Sequence, residues 1–223
     1  MKDNKKGKYS IIIITIISCI IMALVETFIE PSYIIKSAAK VVVFLLLPVI
    51  SMKLLNIKVF DRTFILNKKI LMKLLVLGFL IYFVVIGAYI LTRNIFDYSS
   101  LVNSLSADQK VNSDSFIWVA LYISFCNSFL EEFLFRFFVF IKLSDYMTKS
   151  ITYIFSAVMF AVYHVAMIGT SFPLPLLILA LIGLSIGGCI FDYVDEKSKS
   201  IYNSWIIHMF ADFAIMTIWY IHI

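Results

Sequence analysis

Glycine and proline are scarce, 7 and 4 in 223 residues. That leaves no material for long irregular linkers. Charge is scarce as well: Asp, Glu, Lys and Arg make up 15% of the chain, and they are bunched rather than dispersed. The cysteines number 3. Cys19, Cys126 and Cys189 each lie inside an apolar run, whereas a disulfide framework would place them in exposed loops. They read as small apolar core residues.

What fills the chain instead is hydrocarbon. Apolar residues reach 62%, with a mean hydropathy of +0.98, against about 45–50% apolar in soluble domains. A bilayer core of about 30 Å takes a helix of about 20 apolar residues to cross. The length therefore accommodates about seven to eight crossings and little else. The expected fold is all-α, a polytopic transmembrane helix bundle, with residues 1–223 forming a single domain. The net charge of +5 invites a nucleic-acid partner, but the placement of the charges explains it better, and membrane lipids are the expected surroundings.

Apolar runs separated by polar ones mark the spans. The run from Tyr9 to Phe28 is too long for a signal-peptide core and lacks a small-residue cleavage site. It reads as a first span, closed by Glu30-Pro31-Ser32. Further spans are expected at 34–54, 70–92, 115–143, 151–168, 176–194 and 201–221. Lys36 and Lys40 lie near the start of the second, where long side chains can snorkel to the interface. The stretch 93–114 is the one long polar loop and carries no strong element signal. Trp118 and Trp219 fit interfacial aromatic belts, Trp205 lies close to one, and His222 reads as interfacial. With the N-terminus in the cytoplasm, the inside segments 1–8, 53–69, 142–150 and 195–200 hold most of the 19 Lys and Arg. The outside loops hold Arg93, Lys110 and Lys36. This is the positive-inside bias.

A charged side chain at a helix centre costs about 2.5–3.5 kcal/mol. Glu131, Glu132, Arg136 and Asp212 together would cost on the order of 10 kcal/mol facing lipid. Such groups face the bundle interior, pair with one another and usually serve a function. The polar set of the last four spans is completed by Asn127, His164, Asn203 and His208. Pairs four apart share a helix face: Asn127 with Glu131, Glu132 with Arg136, Phe160 with His164, His208 with Asp212. Glu131 is turned about 100° from Glu132. The simplest division of labour makes Glu132–Arg136 a structural ion pair and leaves Glu131 for chemistry. Amide hydrolysis needs a water that loses a proton, a stabilised oxyanion and a protonated leaving amine. A carboxylate and two imidazoles can supply these directly. Glu131, His164 and His208 can instead serve as ligands of a zinc ion.

The segment Glu131-Glu132-Phe133-Leu134-Phe135-Arg136 resembles the EExxxR motif of the CPBP family of intramembrane proteases, which contains the CAAX prenyl endopeptidases and bacteriocin-processing enzymes and was once called Abi. Phe160-Ala161-Val162-Tyr163-His164 is similar to the family's FxxxH motif. Asn203-Ser204-Trp205, followed by His208 and Asp212, resembles its final HxxxN/D motif. The motifs come in the family's order on three helices, and the family-like catalytic core is about 115–221. The resemblance implies an intramembrane endopeptidase acting on a peptide or lipid-anchored protein substrate. Glu131 and His164 would activate water, and His208 with residue 212 would form the oxyanion site. Glu132, Arg136, Asn127 and Asn203 would support them. Position 212 is Asp where many members have Asn, and an ionised Asp cannot donate to an oxyanion. No HExxH pair is present, so no obligatory cofactor is expected, although the family is often labelled metalloprotease.

Two other readings use the same residues. One is a non-enzymatic bacteriocin-immunity or scaffold protein of the same fold. The other is an ion or proton transporter, against which stands the lack of an inverted repeat. The Ile-, Lys-, Phe- and Asn-rich composition points to a low-GC bacterium and its cell membrane, hence to peptide maturation as the use.

Overall fold

The structure, a computed structural model, describes residues 2–29, 33–59, 62–66, 68–109, 111, 113–169, 171–198 and 200–222. The expected close of the first span at Glu30-Pro31-Ser32 and the expected outside-loop Lys110 lie outside the described residues. Among these residues there is no strand. Seven helices are long and apolar enough to cross a membrane: Lys5–Ile29, Ile34–Leu54, Leu71–Thr92, Asp114–Ile141, Lys149–Ile168, Leu174–Ser198 and Ile201–His222. The protein is a multi-pass membrane protein with an all-α bundle. Each apolar run is a helix because hydrocarbon offers no water to backbone N–H and C=O groups, and a helix satisfies them within the segment.

Local chemistry ends the spans where the sequence turns polar. The second span closes in a Schellman motif. Asn56 takes the left-handed conformation with φ 55°, Ile57 N donates to Met52 O at 2.8 Å and Asn56 N to Lys53 O at 3.2 Å. Asn tolerates that backbone region better than most residues. Asp195, fully inside the bundle, caps the seventh span. Its Oδ1 accepts from Ser204 N at 3.1 Å and its Oδ2 from Ser204 Oγ at 2.8 Å. The sixth span therefore runs on to Ser198, past the expected end at Val194.

Two close approaches set the packing. Glycine at 188 lets the sixth span lie on the fifth, since a Cβ there would stand 3.0 Å from Ala157 Cα. Glycine at 78 lets the third span receive the Phe210 ring of the seventh, 2.3 Å from where a Cβ would stand. Small residues at such crossings are the usual device when lipid provides no hydrophobic drive between helices. The third span otherwise faces outward, with Leu74 and Gly78 as its buried residues. The buried core is Phe-rich and centres on the fourth span, where every residue from Phe133 to Phe140 is buried.

Several expectations need correction. The stretch 93–114 contains a helix, Tyr98–Gln109. Its Val102 joins Val111, Phe116, Met216 and Trp219 in a second, smaller core, and Ser106 Oγ accepts from Trp219 Nε1 at 2.9 Å. Packing on the seventh span, rather than the weak propensity of a Ser-rich segment, makes this helix. Trp219 is accordingly buried against this helix rather than turned outward. Of the cysteines only Cys19 is in the core, while Cys126 and Cys189 are exposed on outward helix faces, where a small apolar thiol is compatible with lipid. Lys36 and Lys40 do not snorkel outward; both are buried because each meets an acid inside the bundle. Lys36 Nζ pairs with Glu26 Oε2 at 2.8 Å.

Gly188→Leu should lower the thermal midpoint of the detergent-solubilised protein, at a cost of about 1–3 kcal/mol from overpacking. Gly187→Leu should not lower it, since a Cβ there meets nothing within 4 Å. Equal midpoints for the two variants would contradict this packing.

Candidate active site

The fourth span carries Glu131 and Glu132 on one short α-helical stretch, Ser128–Glu132. It lies between two π-helical stretches, Tyr122–Asn127 and Phe133–Ile141. Widened π segments inside helices are frequent at functional sites. Both acids are buried, Glu131 at 1% exposure and Glu132 at 0%. Burial of two neighbouring acids is tolerable only because each meets its own partners.

Glu131 lies at the meeting point of four spans. Its Oε1 accepts from Asn127 Nδ2 at 2.9 Å and from Lys40 Nζ at 3.2 Å. Lys40 Nζ also donates to Asn127 Oδ1. Its Oε2 faces His164 Nε2 and His208 Nε2, each at 3.8 Å. Glu132 reaches a different set. Its Oε1 accepts from His208 Nδ1 at 2.7 Å, and its Oε2 lies 3.3 Å from Arg136 Nε. The two acids thus meet opposite edges of one imidazole.

The ring nitrogens have assigned roles by chemistry. A carboxylate only accepts, so His208 Nδ1 carries the proton it shares with Glu132. His164 Nδ1 donates to the Phe160 carbonyl one turn back, at 2.7 Å. Both Nε2 atoms are therefore the ones turned toward Glu131 Oε2. At 3.8 Å these contacts are too long for direct hydrogen bonds. The Phe160 and Phe191 rings hold His208 from two sides, with centroids 5.6 and 5.2 Å away. The His164 side chain, 16% exposed, is the most open edge of the cluster.

Asp212 Oδ1 stands 3.7 Å from His208 Nε2. It shares the histidine's face as the spacing predicts, but Glu132 makes the bond that orients the ring. Asn203 is fully buried, and neither of its amide atoms has a hydrogen-bond partner among the described residues. It is not tied to the carboxylate–imidazole cluster. Arg136 is fully buried. Besides Glu132, its Nε lies 3.7 Å from Asp192 Oδ1, and its guanidinium carbon sits 4.2 Å from the Phe160 ring centroid. Asp192 Oδ1 in turn accepts from Ser156 Oγ at 2.9 Å.

Sequence reasoning missed two members of this network. The position of Lys40 near the start of a span suits a snorkelling lysine, and that pattern hides its inward turn. Asp192 lies inside an apolar run, and the lipid-cost argument applied to Glu131 would have singled it out too.

Residues 113–214 match the family model described as type II CAAX prenyl endopeptidase Rce1-like. The matched segment is the one that carries the three motifs, and it bears out the resemblance to the CPBP and CAAX proteases. The match, which covers less than half of the chain, supports a CAAX-type intramembrane protease in general terms. Comparison with curated proteins and with solved structures found no match.

Arg136→Ala leaves Glu132 and Asp192 buried without their shared cation, which should destabilise the protein by about 3–5 kcal/mol. Thermal unfolding in detergent measures it. A fully stable but inactive Arg136→Ala protein would move Arg136 from the structural group into the chemistry.

Proposed function

We propose that the protein is an endopeptidase that cleaves a peptide bond within the membrane by means of a water activated by Glu131 and His164. One observation carries this reading: two imidazole Nε2 atoms, from two different spans, converge on a single carboxylate oxygen at 3.8 Å each. That spacing suits a water bound among the three, within hydrogen-bond reach of about 2.6–3.2 Å of each. Glu131 Oε2 takes the proton as the water attacks the scissile carbonyl, and His164 Nε2 orients the water. The proton then passes from Glu131 to the leaving amine, so hydrolysis yields a free carboxylate and a free amine. His208 stabilises the oxyanion. With Nδ1–H held by Glu132, it donates from Nε2 only as an imidazolium, and the carboxylates of Glu131, Glu132 and Asp212 balance that charge. In this reading Asp212 serves as a counter-charge, which is compatible with an acid at a position where many members of the resembled family have Asn. Exclusion of bulk water strengthens each of these interactions.

The family's metalloprotease label raises zinc. Tetrahedral zinc with bonds of about 2.0–2.1 Å draws its ligand atoms to about 3.3 Å of one another, closer than the 3.8 Å separations around Glu131 Oε2. Among the described residues no group of three His, Cys, Asp or Glu is arranged to hold a metal, and Lys40 already supplies a cation to Glu131. The donor set does not fit zinc as arranged, and the reading uses no metal. The substrate is a membrane-associated peptide or lipid-anchored protein, entering past His164. The N-terminus faces the cytoplasm of a bacterial cell, in keeping with the basic inside segments.

The test is cleavage by purified protein in liposomes, with a farnesylated peptide ending in a CAAX sequence and a panel of unprenylated peptides. Glu131→Gln and His164→Ala, each folded, should lose at least about 100-fold in rate, and exhaustive chelation should leave the wild-type rate in place. Unchanged cleavage by Glu131→Gln would end the proposal. Stoichiometric zinc, with activity lost on chelation and restored by zinc, would make Glu131, His164 and His208 ligands instead.

A further inference from the structure

The two oxygens of Glu131 are used unequally. Oε1 accepts from both Asn127 Nδ2 and Lys40 Nζ, while Oε2 receives neither bond and faces the imidazoles. Lys40 also donates to Asn127 Oδ1, which settles the amide so that its NH₂ points at Glu131. The three side chains form a closed ring of contacts that leaves one oxygen free on the side of the histidines. Lys40 is 5% exposed, and its ammonium stands over the Tyr163 and Phe44 rings, 5.1 and 5.6 Å from their centroids. Cation–π contact of this kind favours a desolvated ammonium.

We propose that Lys40, from the second span, is a positioning residue of the hydrolytic site, holding Glu131 as an aligned carboxylate with Oε2 turned to the water. The proposal rests on the hydrolytic reading above. A carboxylate enclosed as fully as Glu131 does not stay charged without a partner, and a protonated acid cannot take a proton from water. The charged and titratable groups around it are Lys40, His164 and His208, with Asp212 beside the same Nε2 of His208 and Glu132 on that ring's far, Nδ1 edge. Of these only Lys40 donates a hydrogen bond directly to the carboxylate; the two imidazole nitrogens stand 3.8 Å away. Lys40 also lies outside the matched segment, residues 113–214, so that segment alone does not complete its own site.

The experiment combines kinetics with chemical labelling on the full chain. In folded Lys40→Met, kcat for the cleaved peptide should fall about 10–100-fold, the range for groups that orient a functional ligand, with KM unchanged. Dicyclohexylcarbodiimide, which modifies membrane carboxyls only when protonated, should leave Glu131 unlabelled in the wild type. It should label Glu131 in Lys40→Met, as read by peptide mass mapping. Lys40→Gln, which keeps a donor for Asn127 but not the charge, gives the same two readouts if Lys40→Met fails to fold. Wild-type kcat, or a labelling pattern equal to wild type, overturns the proposal. Labelling needs no substrate, so it decides the role of Lys40 even where Glu131→Gln has shown the hydrolytic reading to be wrong.

Discussion

An ionised side chain inside hydrocarbon must find its counter-charge, and in this bundle four such pairings join two different spans. Glu26 and Lys36 tie the first to the second. Lys40 and Glu131 tie the second to the fourth. Arg136 and Asp192 tie the fourth to the sixth, and Glu132 and His208 tie the fourth to the seventh. The hydrocarbon faces of these helices can slide or rotate at little cost, because lipid and Leu side chains are equally apolar. A misplaced buried charge costs several kcal/mol. Charge pairing thus sets the register in which the helices meet, and the Phe-rich packing of the fourth span fills the space that this register leaves.

The same pairings make the site. Glu132 is shared between Arg136 and His208, so one acid both anchors the helix and orients a ring. That dual role blurs the division between a structural Glu132 and a chemical Glu131 that helical spacing suggests. Glu131 is itself less free than spacing implies, since Lys40 and Asn127 hold one of its oxygens. What remains for the proposed chemistry is a single oxygen and two ring nitrogens.

The spans were legible because a hydropathy run of about 20 residues has one outcome in a bilayer. The carboxylate–imidazole cluster was legible in part. The i,i+4 pairs Asn127–Glu131 and His208–Asp212 follow from helix geometry alone, and the cost of acids in lipid implied that they would face inward. Lys40 was not legible: it meets Glu131 across a separation of 91 residues, and nothing local distinguishes a snorkelling lysine from one turned inward. The helix at Tyr98–Gln109 was missed for a related reason. Its sequence is polar, and what orders it is a tryptophan from the far end of the chain.

The proposed hydrolysis turns on how Glu131 acts. A carboxylate this close to two imidazoles can activate water, or it can attack the carbonyl itself and form an anhydride with the substrate. A single turnover of excess purified protein in water enriched in heavy oxygen detects an anhydride that water opens at the Glu131 carbonyl. The account predicts heavy oxygen in the new carboxyl terminus of the cleaved peptide and none in the side chain of Glu131. Heavy oxygen incorporated into Glu131 would contradict it.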